Sequence, residues 1–207
     1  MHLEITTYID CPNRCSYCPQ ETLIKAYKGP KVMSIDTFKK ILRNVPPEVD
    51  IHFSGFSELF FHPDAVDFIF EAGKEHGVVV YTTTKGMSDL QYDQIKDFKF
   101  KEFNVHDRGA RHIPWATSKI QITDSNKISR AGHLWDVNLR ELSDKKTCLK
   151  SSEYKVNVVL PDGNVYLCCM DYGLEHHLGN ILKTPFHELK RECPFELCTK
   201  CEWYGQA

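Results

Sequence analysis

The sequence predicts an α/β fold in which a parallel sheet is followed by a smaller unit made of a β-hairpin and a short helix. Two observations support this class. Short apolar strands alternate with amphipathic helices through residue 123, an order that implies right-handed crossovers and a parallel sheet. The nine cysteines of the 207 residues lie only at the two ends of the chain, with none between residues 19 and 147. They indicate two separate thiol sites.

Five strands are predicted in the first part of the chain, at residues 2–8, 49–53, 78–84, 99–105 and 119–123. The first alternates polar and apolar residues, and the third, VVVYTTT, has the apolar, β-branched composition of a buried parallel strand. Active sites in parallel sheets lie at the C-terminal ends of the strands. The first cysteine, Cys11, follows the first strand and therefore falls where chemistry is expected.

Three helices are predicted between these strands. Ser34 caps a helix that carries its apolar residues on one face and ends at a Pro-Pro pair. Pro63 suits the first turn of a second helix, which is predicted to end at Gly77. Ser88 and Gln91 have the spacing of a capping box before a third helix.

The pattern changes after residue 148. The strands YKVNVVL and NVYLCC flank the turn sequence PDG at 161–163, which is the signature of a β-hairpin. Thr-Pro at 184–185 then opens a short helix that is predicted to extend to about residue 191, and a cysteine-rich stretch, CPFELCTKCEW, follows. The chain is therefore divided into a first domain, residues 1–146, and a second domain, residues 147–207.

Composition and charge limit the classes of partner. The chain is 42% hydrophobic with a formal net charge of −2, which gives no electrostatic reason to bind nucleic acid or an anionic membrane. No apolar run approaches the roughly 20 residues of a membrane span. The N-terminal stretch MHLEITTYID lacks the basic start and the apolar run of a signal peptide. We expect a cytoplasmic protein that binds neither membrane nor nucleic acid.

Three cysteines, Cys11, Cys15 and Cys18, lie within eight residues in the stretch IDCPNRCSYCPQ. In a reducing cytoplasm, clustered cysteines hold metal more often than they form disulfides. Four thiolates saturate a structural zinc ion or an electron-transfer cluster. Three thiolates on a [4Fe–4S] cluster leave one iron that can bind a small molecule. A zinc site completed by a distant fourth cysteine is the alternative.

The CxxxCxxC spacing of these cysteines, with the aromatic Tyr17 before the last, resembles that of the radical S-adenosylmethionine (SAM) superfamily. The resemblance implies that Cys11, Cys15 and Cys18 hold a [4Fe–4S] cluster whose open iron binds SAM. In the family, an electron from the cluster cleaves SAM to methionine and a 5′-deoxyadenosyl radical, which removes hydrogen from the substrate. A partial, open β/α barrel is implied, because fewer than the family's six strand–helix units fit before residue 148. Such a barrel would admit a large substrate.

The stretch FSGFSELFFHPD, at 53–64, resembles the family's segment that holds the SAM amino group. Gly55, Ser57 and Glu58 are the candidates for this role. Ser57 and Leu59 stand where the family usually has Gly and Pro, so the local turn is expected to differ. A structural strand-to-helix loop is the alternative for this segment.

Further candidates for SAM binding follow the third and fourth strands. Thr83 and Thr84 belong to TTTKG, where the family often has Thr-Asn-Gly. His106 of NVHD stands where a polar residue commonly faces the SAM ribose. Arg130 of ISRAGHL is a candidate partner of the SAM carboxylate. An ordinary polar side chain and a surface ion pair are the respective alternatives for His106 and Arg130.

The C-terminal cysteines resemble the SPASM/twitch extension of the same superfamily. The resemblance implies one auxiliary [4Fe–4S] cluster, held by Cys148, Cys168, Cys198 and Cys201. Because side chains alternate along a strand, Cys169 faces away from Cys168 and is interpreted as a small buried residue. Cys193 could replace one of the four ligands. A zinc ribbon is the alternative for this set.

The implied function is that of a radical SAM oxidoreductase, with an oxidation such as alcohol to carbonyl favoured. The cofactor performs the difficult step, so no side chain is assigned to bond breaking. The implied partners are SAM, a peptide or sugar-type substrate, and an external electron donor such as flavodoxin or ferredoxin. The contrasting hypothesis is a non-catalytic protein, either a two-cluster electron carrier or a zinc-stapled binding module.

Overall fold

The computed structural model describes residues 1–106, 111–123, 128–134, 157–189 and 196–201. Within these ranges, eight strands form one mixed sheet that does not close into a barrel. The strands are β1 (His2–Ile5), β2 (Asp50–Phe53), β3 (Val78–Thr82), β4 (Glu102–His106), β5 (Ser118–Ile120), β6 (Asn157–Val159), β7 (Asn164–Tyr166) and β8 (His177–Asn180). Their order across the sheet is β5-β4-β3-β2-β1-β6-β7-β8.

The first five strands are parallel, which confirms the predicted α/β class with an open partial barrel. The described helices are α1 (Gln20–Ala26), α2 (Ile35–Leu42), α3 (Ala65–Ala72), α4 (Asp89–Ile95) and α5 (Glu196–Thr199). Ser34 accepts a hydrogen bond from the backbone of Thr37, and Ser88 and Gln91 complete the capping box at the start of α4. No helix of the described ranges has both the length and the apolar character needed to cross a bilayer.

The predicted hairpin is formed by β6 and β7, and it extends the same sheet. β6 pairs in parallel with β1, with Glu4 opposite Val158, and the antiparallel strands β7 and β8 follow. The proposed division near residue 146 lies outside the described residues and stays a prediction.

The two faces of the parallel strands differ in polarity. The face that packs against the helices is apolar, and together with Phe38, Ile41, Phe68 and Ile69 of the helices it forms the main core; its strand residues are Leu3, Ile5, Ile51, Phe53, Val78, Val80, Phe103 and Val105. Each such buried side chain stabilises the fold by about 1.5–3 kcal/mol relative to an exposed one. The opposite, inward face carries polar side chains, among them His2, Glu4, His52, Tyr81 and Glu102, which line a cavity.

Some boundaries differ from the prediction. The helix predicted to end at Gly77 ends at Ala72, because residues 73–77 turn back to the sheet, where the Gly77 carbonyl accepts a hydrogen bond from Ile51. The strand predicted from residue 99 begins at Glu102, since Phe98 and Phe100 pack against the main core instead.

The C-terminal region shows further differences. Strand β8, which begins at His177, was not predicted; His177 pairs with Tyr166 of β7. In the predicted helix at residues 184–191, the described part forms only a 3₁₀ turn, Phe186–Glu188. Helix α1, which follows the first cysteines, was not predicted; its N-cap, Pro19, offers no side-chain cap to signal it.

Candidate functional site

A cavity of about 720 Å³ lies on the inward face of the sheet, beside the loop that carries the first three cysteines. This volume is in the range of sites that bind small molecules. Its walls include Cys11, Cys15 and Cys18 together with the C-terminal ends of β2, β3 and β4. The sequence-predicted thiol loop and strand ends therefore meet at one place, as expected for a parallel sheet.

The three thiols of the loop lie near one another. Cys18 interacts electrostatically with both Cys11 and Cys15, and the backbone N–H of Cys18 donates to the Cys15 carbonyl at 3.0 Å. Burial raises the pKa of Cys11 to about 11, an effect partly offset by the backbone N–H groups of Asn13 and Glu58. A bound metal must therefore displace protons from these thiols, as thiolate ligation generally requires.

Glu58 fixes the strand ends behind the loop. Its buried carboxylate, 4% exposed, accepts hydrogen bonds from Thr82 Oγ1 at 2.5 Å, from the Thr83 N–H at 2.6 Å and from Thr83 Oγ1 at 2.8 Å. Burial raises the pKa of Glu58, and these donors partly offset the rise. Asn13 of the thiol loop donates to Thr83 Oγ1 at 2.8 Å. A chain of side chains thus ties the thiol loop to β3.

The segment after β2 approaches the cavity through its backbone. Gly55 has φ +74°, and a Cβ atom there would lie 2.7 Å from Thr6 Oγ1, so only glycine fits without strain. Ser57, at the position where the resembled family has glycine, does not have a positive φ. Serine therefore replaces glycine at this turn without backbone strain.

Tyr17, His106 and Arg130 form one wall of the cavity. The rings of Tyr17 and His106 are stacked with centroids 6.0 Å apart, and Arg130 Nε donates to the Tyr17 carbonyl at 3.3 Å. Burial, and then the charge of Arg130, lower the pKa of His106, which keeps its ring neutral at pH 7. This wall combines a neutral imidazole with a fixed guanidinium.

Thr84 stands apart from the other candidates. It adopts φ +57°, which is strained for a β-branched residue. Its hydroxyl donates to the Thr83 carbonyl and accepts from the Arg111 N–H at 2.8 Å, and the residue does not line the cavity. Thr84 therefore orders the loop behind the site.

The C-terminal cysteines separate into two environments. Cys168 packs with Cys198 and Cys201 around Leu167 and Met170. Cys169 faces the other way, into a cluster that also contains Cys18, and it lines the cavity. Cys148 and Cys193 lie outside the described residues. None of the described cysteines forms a disulfide.

The polar atoms of the cavity suit a bound ligand. Four buried atoms that line it have no hydrogen-bond partner: Gln20 Oε1, Ser54 Oγ, Ser57 Oγ and His106 Nδ1. Buried polar groups are nearly always paired, so these atoms indicate a partner that completes the site. Within the described residues, no three His, Cys, Asp or Glu side chains converge on a single metal ion. The three thiols, facing one cavity beside these atoms, fit a larger cluster with a polar ligand.

Several residues of the site were not identified from the sequence. Asn13 lies between Cys11 and Cys15 and Gln20 begins α1 just after Cys18, and their closeness to the cysteines in sequence was the one available signal. Glu4 and Tyr172 line the cavity from distant parts of the chain. Glu4 is visible in the sequence only as a polar residue on the inward-facing alternation of β1.

Comparisons with known proteins agree with this arrangement. The model of the radical SAM superfamily matches residues 5–106, and a model described as an iron–sulfur cluster-binding domain, SPASM, matches residues 148–202. A search of curated proteins finds no match.

Solved structures share the fold at low sequence identity. BtrN in complex with AdoMet and 2-DOIA has a TM-score of 0.73 and 17% identity, over 91% of this chain and 80% of that chain. Streptococcus suis SuiB bound to precursor peptide SuiA has a TM-score of 0.66 and 10% identity, over 97% and 69% of the respective chains. Native anSMEcpe with bound AdoMet has a TM-score of 0.57 and 14% identity, over 98% of this chain and 86% of that chain.

Proposed function

The chain belongs to the radical SAM superfamily and carries a SPASM domain, and from this premise we propose that it is an oxidoreductase that uses SAM to remove hydrogen from a polar substrate. The observation that carries the proposal is the meeting of three thiols and four unpartnered polar atoms in one cavity. An external one-electron donor of the flavodoxin or ferredoxin type supplies the reducing electron.

Cys11, Cys15 and Cys18 are the residues that would hold the [4Fe–4S] cluster. When bound, the cluster and SAM together supply a 5′-deoxyadenosyl radical that removes a hydrogen atom from a substrate carbon. The chain's own contribution is positioning and the exclusion of water. The contacts from Asn13 through Thr83 to Glu58 support this role, because they hold the thiol loop against β3.

The residues around the cavity would orient SAM. Ser57 Oγ is one of the unpartnered atoms there. Gly55, which packs against Thr6 with φ +74°, would fix the turn whose backbone carbonyls accept from the SAM ammonium group. His106 Nδ1, unpartnered and on a neutral ring, suits a ribose hydroxyl. Arg130 suits the SAM carboxylate through a charge-assisted hydrogen bond.

The substrate is proposed to be a peptide or a sugar. The inward face of the sheet supports a polar substrate, because closed β/α barrels fill this face with bulky apolar side chains. Here the face carries the polar side chains of His2, Glu4, His52 and Tyr81. Among the described strands the sheet does not close into a barrel, which supports access for a large substrate. The solved structures of similar fold were obtained with 2-DOIA in BtrN and with a peptide in SuiB.

The auxiliary site would receive an electron from the substrate radical. Cys168, Cys198 and Cys201 pack together and would hold a second [4Fe–4S] cluster with Cys148 as the fourth ligand. For an alcohol substrate, loss of the hydrogen atom, one proton and this electron gives the carbonyl. The reaction class is therefore proposed to be a two-electron oxidation.

Anaerobic SAM cleavage tests the proposal. The reconstituted, dithionite-reduced protein is expected to contain about eight iron atoms per chain, as two [4Fe–4S] clusters require. It is expected to form 5′-deoxyadenosine and methionine in equal amounts. Cys15→Ala should abolish both products, whereas Cys169→Ala should retain them because Cys169 is assigned to neither cluster.

The alternatives predict other outcomes. Zinc without iron would identify a zinc-stapled module, and iron without 5′-deoxyadenosine would identify an electron carrier. A product isomeric with its substrate would exclude oxidation while leaving SAM cleavage intact.

A further inference from the structure

We propose that Tyr172, with Gln20, sets the reduction potential of the cluster held by Cys11, Cys15 and Cys18 by hydrogen bonding to the sulfur of Cys18. The inference rests on the proposed function in one respect, namely that these three cysteines bind a cluster. It assigns Tyr172 and Gln20 as positioning residues that act on the cofactor through Cys18.

Two side chains reach the same sulfur atom. Gln20 Nε2 lies 3.4 Å from Cys18 Sγ, and Tyr172 Oη lies 3.6 Å from it, although Tyr172 is 154 residues away in sequence. Both distances suit hydrogen bonds to sulfur. A thiolate bound to iron has no proton to give, so the tyrosine and the amide are the donors.

The amide orientation of Gln20 is determined by its surroundings. Its Nε2 group donates to the Phe56 carbonyl as well as to Cys18 Sγ. A flipped amide would place its oxygen against two acceptors, which would be repulsive. The observed orientation therefore aims an N–H group at the sulfur.

The hydroxyl of Tyr172 is held in place by its ring. The side chain is 2% exposed and packs edge-on against Phe56, with centroids 4.8 Å apart. A tyrosine hydroxyl carries its proton at neutral pH and can therefore donate to the sulfur. The guanidinium of Arg130 interacts electrostatically with both Tyr172 and Cys18, adding positive potential at the same place.

The effect on the cluster has a definite sign. Reduction adds negative charge to a cluster and its thiolates, and hydrogen bonds to the sulfurs stabilise that charge. Tyr172 and Gln20 therefore raise the potential and make reduction easier for a weak biological donor. Removing either donor lowers the potential.

The turn that carries Tyr172 also carries a cysteine of the proposed auxiliary site. The Asp171 N–H donates to the Cys168 carbonyl at 3.0 Å, and the Asp171 carboxylate accepts from the backbone of Glu175 and His176. Cys168 faces the auxiliary cysteines while Tyr172 faces Cys18. The C-terminal part of the chain, through Tyr172, thus contributes one hydrogen-bond donor to a ligand of the first cluster.

The test is a redox titration followed by EPR on the fully reconstituted protein, comparing wild type with Tyr172→Phe, Gln20→Met and the double variant. The first cluster is distinguished from the auxiliary one by the change in its signal on addition of SAM. At a fixed solution potential, each single variant is expected to lower the ratio of reduced to oxidised first cluster severalfold. A tenfold change in this ratio corresponds to a shift of about 59 mV in the reduction potential of a one-electron couple. The double variant should shift further than either.

Tyr166→Phe is the matched control, because it removes a hydroxyl from the neighbouring strand without contacting Cys18. The inference would be overturned if the first cluster had the same reduction potential in Tyr172→Phe and Gln20→Met as in Tyr166→Phe. If the Tyr172→Phe variant does not bind the first cluster, the comparison of Gln20→Met with Tyr166→Phe decides: equal reduction potentials would overturn the inference. A wild-type protein without a SAM-responsive cluster would instead refute the proposed function, and this inference with it.

Discussion

Replacement of Glu58 by alanine is expected to be among the most destabilising changes in the site. The carboxylate accepts hydrogen bonds from the Thr83 N–H, from the hydroxyls of Thr82 and Thr83, and from the Phe60 N–H at 3.4 Å. The two hydroxyls can rotate toward other acceptors. The two backbone N–H groups cannot, and a buried unsatisfied donor costs about 1–3 kcal/mol.

The expected loss is therefore about 3–5 kcal/mol, similar to that for breaking a buried charged network. For a chain of this size, 1 kcal/mol corresponds to roughly 2–4 °C in Tm, so Glu58→Ala should lower Tm by about 10 °C. Glu58→Gln keeps the shape but turns one amide N–H₂ group toward the donors, and its loss should be roughly half as large.

The measurement is anaerobic thermal unfolding of the reconstituted protein, followed by circular dichroism. Glu71→Ala is the control, because within the described residues the Glu71 carboxylate pairs only with Lys74 and Lys39 near the surface, and such pairs contribute about 0–1 kcal/mol. A Tm for Glu58→Ala within 2 °C, roughly 1 kcal/mol, of that for Glu71→Ala would refute the reasoning.

Three further predictions follow. Gly55→Ala forces a side chain into φ +74° and against Thr6 Oγ1; it should cost about 2 kcal/mol and weaken SAM binding in equilibrium dialysis, and unchanged affinity would contradict the assigned backbone approach. Burial lowers the pKa of His62 below its usual 6.5, so just below this pH the His62 ring is protonated in the unfolded state but still largely neutral in the folded state. Stability should then fall as pH drops through 6.5, and His62→Gln should flatten this slope in Tm measurements at several pH values; an equal slope would exclude His62 as its source. Cys168→Ser should halve iron content, to about four atoms per chain, while the SAM-responsive EPR signal persists; loss of that signal would show that Cys168 serves the first cluster.

The sequence predicted those parts of the fold whose signals are local. The capping pairs at Ser34 and Ser88 and the alternation at the start of the chain depend on residues a few positions apart. Both capping pairs were confirmed, and the alternation correctly predicted a strand, although β1 ends at Ile5 instead of residue 8. The spacing of Cys11, Cys15 and Cys18 is also a local signal, since all three cysteines lie in one loop.

Features that depend on distant contacts were not predicted. The approach of Tyr172 to Cys18 spans 154 residues and arises only when β7 and β8 extend the sheet beyond β6. The strand at His177 has no alternating apolar pattern, and it forms because β7 provides a pairing edge. The roles of Asn13 and Glu4 likewise depend on which strand ends meet, and the sequence alone gives no register for them.

The pairing of β6 with β1 means that the two regions matched by separate family models share one scaffold. A fragment ending near residue 146 would leave the backbone of Leu3, Glu4 and Ile5 without its partners at Asn157–Val159. That bare edge would invite association with other copies, so the fragment is not expected to behave as a monomer. A different C-terminal module grafted onto this chain would need to supply its own strand in the same register.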